Sequence, residues 1–275
     1  MERVEPLFLP FFFGRPLRFV RQLSRYASRE KGILARDSKT SPLIMLELHS
    51  QCDGHIALAF ILKAVRKRDT AARPTSFTIG ATGTDAISSM VARAVAAYRW
   101  SMESGRVYRA LGSDRLVQPR LRSHHKRAAD KLCLKYRAGI KTKEDFLSLQ
   151  VNGTQIGDLV YDTYLRKLKV PTINLGDRRL WNMLNQAIRL SLFWAEFLTE
   201  NSVGWIVSNH SAYFQGLLPR IALTNSNSIV LVATGFHLYR LTPSAKYIRQ
   251  EGLLYPEVFR GLSTQVQRDG LQKGE

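Results

Sequence analysis

The chain has 275 residues, of which 45% are hydrophobic and 23% charged, and its formal net charge is +19. That length and mix support a packed core and exclude a disordered chain. The positive excess suits polyanionic partners, namely nucleic acid, anionic lipid headgroups, or acidic and phosphorylated substrates, and by itself does not choose among them.

Two cysteines, Cys52 and Cys133, are too few for a disulfide framework or a zinc knuckle and fit a reducing compartment. No apolar run reaches the ~20 residues of a membrane-spanning helix. The first residues do not pattern as a signal peptide, because Glu2 and Glu5 precede the apolar stretch and basic residues follow it. Residues 7–23, LFLPFFFGRPLRFVRQL, mix Leu and Phe with Arg15, Arg18 and Arg21. They read either as an arm packed on the domain or as an interfacial membrane segment. Pro10, Gly14 and Pro16 preclude one long helix there.

Residues 1–41 therefore read as an N-terminal arm and linker. LIMLELHS, starting at Leu43, is an apolar strand ending near His49. A helix follows over CDGHIALAFILKAVRKR, with Ile56, Ala59, Phe60 and Ala64 at helical spacing and Asp53 as its expected N-cap. SFTIGATG (76–83) reads as the next strand and Thr84–Tyr98 as a helix of small residues. This β-α-β-α order predicts a parallel sheet with right-handed crossovers.

A further short strand is expected within 105–120, and a basic helical segment over 120–143, where nine cations face one acid, Asp130. Asn152-Gly153 marks a turn. Leu180–Leu198 is a strongly amphipathic helix, VGWIVSN (203–209) a strand, Ala212–Leu223 its helix, and SIVLVAT (228–234) the next parallel strand. Together these predict one Rossmann-like α/β domain over 42–242, a parallel sheet flanked by helices. Residues 243–275 read as a C-terminal extension that is cut short.

The familiar cofactor signatures are missing. There is no G-x-x-x-x-G-K-[ST], no G-x-G-x-x-G after the first strand, and no D-x-D, H-x-x-x-H or C-x-x-C, so neither a cofactor nor a metal is expected. Polar residues collect instead at the C-terminal ends of strands, where open α/β sheets bind ligands. They are His49, Ser50, Gln51, Asp53 and His55; then Ser208, Asn209, His210, Ser211 and Tyr213; then Thr234, Gly235, Phe236 and His237. A neutral imidazole there suits proton transfer or hydrogen bonds to sugar and phosphate. Asp158, Asp162 and Arg166 lie four apart, which puts them on one helical face with Asp162 able to pair Arg166. Tyr161, Thr163 and Tyr164 give that helix a polar, aromatic character suited to a carbohydrate or phosphate. The segment 120–143 carries Tyr136 as its one aromatic and no RNA-binding motif, so nucleic acid is the weaker reading of its charge.

The string GDLVYDTYLRK at 157–167, with PTIN at 171–174, resembles bacterial capsule and surface-polysaccharide biosynthesis proteins that look like GT-B glycosyltransferases. The resemblance continues through Phe193-Trp194, VSNHSAYFQGLLPRIAL at 207–223 and the Leu-Tyr-Arg-Leu-Thr of 238–242, and takes in SQCDGHIALAF at 50–60. It implies the N-terminal, acceptor-holding domain of such an enzyme. The implied reaction is metal-independent transfer of a sugar from a nucleotide donor to an acidic glycan or lipid-linked acceptor, at the cytoplasmic face of the cell membrane. It further implies Asp53 or His55 as catalytic base, with His210 as the second candidate. Asp158, Asp162, Tyr164, Arg166, Ser208, Tyr213 and Arg240 would bind substrate. A donor-binding domain is expected to come from a partner protein. The alternatives are a non-catalytic scaffold or binding protein of a glycan assembly complex and, on charge alone, a basic nucleic-acid-binding protein.

Overall fold

The computed structural model describes residues 41–48, 52–79, 94–98, 100, 103–113, 115–234, 237–244 and 260–268. The arm over 1–40, the loop residues His49, Ser50 and Gln51, most of the helix expected over 84–98, and Gly235 and Phe236 lie outside them.

The domain is an α/β sandwich around one six-stranded sheet, Rossmann-like in general character. Its strands are β1 (Leu43–Glu47), β2 (Arg73–Phe77), β3 (Leu116–Val117), β6 (Val203–Ser208), β7 (Ile229–Thr234) and β8 (His237–Leu241), in the spatial order β3-β2-β1-β6-β7-β8. All neighbours run parallel except β7 and β8, which are antiparallel. A small hairpin pairs β4 (Gln150–Val151) with β5 (Thr154–Gln155). Its turn is the expected Asn152-Gly153, and both residues take positive φ (49° and 75°), the conformation that lets a two-residue turn match the strand twist.

The sheet separates two apolar layers because strand residues alternate between faces. Leu43, Met45, Phe77, Ile206, Val230 and Val232 face the larger layer; Ile44, Leu46, Val207, Leu231 and Ala233 face the smaller. The smaller layer is covered by α1 (Cys52–Arg68) and α2 (Glu103–Ala110), through Leu58, Ile61, Leu62, Val65, Val107 and Tyr108. The larger is covered by α3 (Ser123–Gly139), α5 (Gly157–Leu168), α6 (Arg178–Glu200) and α7 (Leu217–Asn225), with the short α4 (Lys143–Leu147) at its margin. Each Leu or Ile fully buried this way stabilises by about 1.5–3 kcal/mol over leaving it exposed. The longest helix among the described residues, α6, buries Leu180, Leu184, Ala187, Ser191, Trp194 and Leu198, a stripe at helical spacing. Asp177 caps it by accepting from Arg179 N (2.8 Å).

Several expectations need correction. The second strand is Arg73–Phe77, not 76–83. Pro74 is tolerated because the amides of Ser76 and Thr78 point toward β3, and β3 is too short to reach Pro74 on that side. Asp53 is the second residue of α1 rather than its cap. Residues 103–110 form a helix that was not anticipated. The chain after β7 does not open into a ligand loop; it returns at once as β8, with Thr234 opposite His237.

Two parallel units share the sheet, β1-α1-β2 and β6-α7-β7. They start from adjacent strands, proceed in opposite directions, and place their helices on opposite faces. The reversal falls between β1 and β6. A crevice forms outside the C-terminal ends of strands at such a point, and the two loops singled out from sequence both leave from it.

Candidate functional site

The last residue of β1 is a carboxylate in an otherwise apolar strand. Positions 43, 45 and 47 alternate onto the larger layer, so Glu47 follows Leu43 and Met45 into it just as the strand ends. Ser208, at the end of β6, stands beside it. The Ser208 hydroxyl donates to Glu47 Oε2 at 2.5 Å, and Asn209 N–H donates to the same oxygen at 2.7 Å. On the other side of the strand, the buried Tyr108 hydroxyl donates to Glu47 O at 2.7 Å. Burial pushes the Glu47 carboxyl above its ordinary value, and the two donors only partly offset that. Glu47 thus ties β1 to the loop after β6 across the reversal point. Sequence reading passed over it because it sits inside LIMLELHS; the available signal was a lone acid at the end of an apolar strand.

From Ser208 the chain turns sharply. His210 is half-buried, and its Nδ1 accepts from Ala212 N at 3.4 Å. A turn of 3-10 helix, Tyr213–Gly216, then leads into α7. Tyr213 adopts φ +56°, a left-handed conformation that costs a bulky residue about 1–3 kcal/mol and clusters at functional sites. Its ring contacts both the His210 ring (centroids 5.4 Å apart) and the Arg166 guanidinium (4.6 Å from the ring centroid). The turn sits hard against α5. A Cβ on Gly216 would meet Ser211 O at 2.3 Å and Leu159 Cδ2 at 2.9 Å, so this position requires glycine.

A cleft of about 290 Å³ opens between α5 and this turn, lined by Thr163, Arg166, Lys167, Tyr213, Phe214 and Gln215. Two cations, Arg166 and Lys167, thus border it. His210 packs against the Tyr213 ring, which forms part of the cleft wall. Burial, and then the Arg166 charge, hold its imidazole below the ordinary value. It is neutral near pH 7. Because Nδ1 accepts the Ala212 amide, the proton rests on Nε2, so His210 is arranged to donate a hydrogen bond rather than to take up a proton.

The predicted face of α5 exists, but its pairing differs. Asp158 pairs with Arg220, which α7 buries, and Arg220 Nη1 also donates to Gln155 O at 3.0 Å. Arg166 is therefore left to Tyr213 rather than joined to Asp162. The half-buried Asp162 has its carboxyl raised by burial, then by Asp158, and Arg220 partly counters this. Tyr164 is buried in the core, and its hydroxyl donates to the Asp177 cap at 2.7 Å. Arg240 is exposed on the edge strand β8, opposite Leu231 and on the sheet face away from α5. The structure therefore brings together Ser208, His210, Tyr213 and Arg166, with Asp158 and Asp162 next along α5, and leaves Tyr164 and Arg240 apart. Asp53 and His55 lie in the first turn of α1, directly after β1; their side chains lie outside the described residues.

A second cluster joins α3 to α6. Glu196 accepts from His124 Nε2 (3.1 Å), His125 Nε2 (2.5 Å) and Arg122 Nη1 (3.0 Å). The three potential ligands His124, His125 and Glu196 converge as a metal site would have them. The buried His125, however, accepts Arg122 N–H at Nδ1 (3.1 Å), which places its proton on Nε2, where a metal would need a lone pair. The cluster fits a helix cap locked to its neighbour, with Arg122 occupying the carboxylate, better than it fits a cation.

Comparison of the chain with protein-family models, with curated proteins and with solved structures finds no match in any of the three.

Proposed function

We propose that this chain holds the acceptor in a metal-independent glycosyl transfer of surface-polysaccharide assembly, and that the acceptor carries a phosphate. The cleft between α5 and the Tyr213 turn supports the reading. It is lined by Arg166 and Lys167, and a neutral imidazole, His210, packs against Tyr213, which forms part of its wall. Guanidinium, ammonium and Nε2–H are the groups that take up a phosphate ester or diphosphate. The two strings that resemble capsule-biosynthesis proteins also converge here. GDLVYDTYLRK is α5, VSNHSAYFQGLLPRIAL is the end of β6 with α7, and they meet through Arg166–Tyr213 and Asp158–Arg220. A GT-B-like plan, with the nucleotide sugar supplied by a second domain or protein, accounts for a cleft that addresses one phosphate group.

In this reading Arg166 and Lys167 neutralise the acceptor phosphate and His210 donates to one of its oxygens. Tyr213 offers a ring edge to the sugar. Glu47, through Ser208 and Asn209, fixes the loop that carries His210. The base that activates the acceptor hydroxyl is placed after β1, at Asp53 or His55, on the same edge of the sheet.

The test is binding of a short-chain polyprenyl diphosphate sugar, followed calorimetrically, alongside the phosphate-free alcohol. We expect the diphosphate to bind and the alcohol not to. Arg166→Ala should weaken binding tenfold or more, about the 1.5–3 kcal/mol of one charge-assisted hydrogen bond. The same substitution should raise the His210 titration point, read by NMR of its ring protons, because the Arg166 charge helps hold it down. Equal binding of diphosphate and alcohol, or no effect of Arg166→Ala on either readout, would defeat the proposal.

A further inference from the structure

We infer that the outer face of α3 docks on an anionic lipid surface. The inner face of this helix is spent on α6: His125, Ala129 and Cys133 are buried. Its one acid, Asp130, is held by Arg189 Nη2 (2.9 Å) and Asn185 Nδ2 (2.9 Å) and attracts Lys126 more weakly, so the outer face stays strongly positive. The outer face carries Lys126, Arg127, Lys131, Lys135 and Arg137, all exposed. At its centre stands Leu134, 69% exposed. Arg127 lies two helical turns before Leu134 and Lys131 one turn before it; Arg137 lies three positions after it, and all project to the same side. Just ahead of the helix, Leu121 is also exposed, between exposed Arg120 and Arg122.

A leucine ringed by long cations is a costly surface in water and a favourable one at a bilayer. There the ammonium and guanidinium groups reach the headgroups while the apolar side chain enters the acyl boundary. The same arc has little with which to read nucleic acid. From Lys126 to Arg137 it holds no Ser, Thr, Asn or Gln, and its one aromatic, Tyr136, is half-buried with its hydroxyl donated to Gln150 O at 2.5 Å. Stacking and base-edge contacts need those groups. The inference does not depend on the chemistry of the cleft, since α3 and the cleft are separate surfaces. A chain docked in this way would nonetheless meet a lipid-linked molecule in the plane of its membrane.

The experiment is flotation of the full chain with vesicles of phosphatidylcholine, with and without phosphatidylglycerol. We expect binding only where phosphatidylglycerol is present. Lys131→Gln with Lys135→Gln should weaken it roughly thirty-fold, at about a factor of five for each cation near the surface. Leu134→Ser should weaken it without changing its charge dependence. The charge-matched control is Lys67→Gln with Arg68→Gln, at the end of α1 on the opposite side of the sheet; it should bind as the unaltered chain does. Circular dichroism confirms that each variant folds. Absence of binding, equal loss in the control, or full binding by both α3 variants would overturn the inference. So would loss of binding to a generic oligonucleotide in those variants with vesicle binding intact.

Discussion

Arg220 is the cation whose removal the structure makes most consequential. It is 2% exposed, donates one hydrogen bond to the Asp158 carboxylate and another to Gln155 O, and joins α7 to both α5 and the β4-β5 hairpin. In Arg220→Met the apolar stem is kept, so no large cavity opens, but both bonds are lost and Asp158 is left without its partner. Breaking one side of a buried pair costs about 3–5 kcal/mol. The Asp158 side chain is 14% exposed, so water recovers part of that, and a loss of about 3 kcal/mol is expected. In urea this moves the unfolding midpoint down by about 1 M or more. Replacing the stranded carboxylate as well, in Asp158→Asn with Arg220→Met, removes the uncompensated charge and should return about half of the loss. The measurement is equilibrium unfolding followed by tryptophan fluorescence. A single variant within 1 kcal/mol of the parent, or a double variant no more stable than the single, would show that the pair does not anchor α7 as described.

Glu47→Gln should flatten the pH dependence of stability. Burial holds the native carboxyl above its ordinary value of about 4.3, so above that pH the native state keeps a proton the unfolded chain has lost, and stability falls as pH rises toward the native value. Unfolding midpoints across that window should decline in the parent and not in the variant; parallel curves would count against a strained carboxylate at the reversal point. Gly216→Ala should lower the melting temperature by about 5–10 °C, because its Cβ collides with the fixed carbonyl of Ser211, and unchanged melting would mean that the Tyr213 turn is not wedged against α5.

The sequence carried its information unevenly. Parallel strands buried on both faces read as apolar runs, so β1, β6 and β7 were legible, as was α6 from its Leu and Trp spacing. The turn at Asn152-Gly153 was legible because few residues other than Asn and Gly accept its dihedral angles. β2 was misplaced because Arg73 and Pro74 disguise a strand start that is tolerated only beside a very short neighbour. β8 was missed because Leu238 is exposed and Tyr239 half-buried, which blurs alternation on an edge strand. At the site, sequence spacing found the α5 face and the loop after β6. It could not show that Arg220, sixty-two positions from Asp158, would claim that carboxylate and leave Arg166 to Tyr213. Nor could it show what holds the Glu47 carboxylate, whose donors Ser208 and Asn209 come from the other half of the chain.

That last separation bears on how the protein is made. Glu47 and Ser208 touch in the finished sheet but are 161 positions apart. At about 5–20 residues per second, roughly ten to thirty seconds of translation pass between them. Through that interval β1 has one edge unpaired, and its carboxylate lacks the donors that will later hold it. Until β6 emerges, the growing chain presents an apolar strand edge of the kind that recruits chaperones or sticks to its copies. A nascent chain stalled before residue 203 should therefore be markedly more prone to aggregate than one released just after β7 has joined.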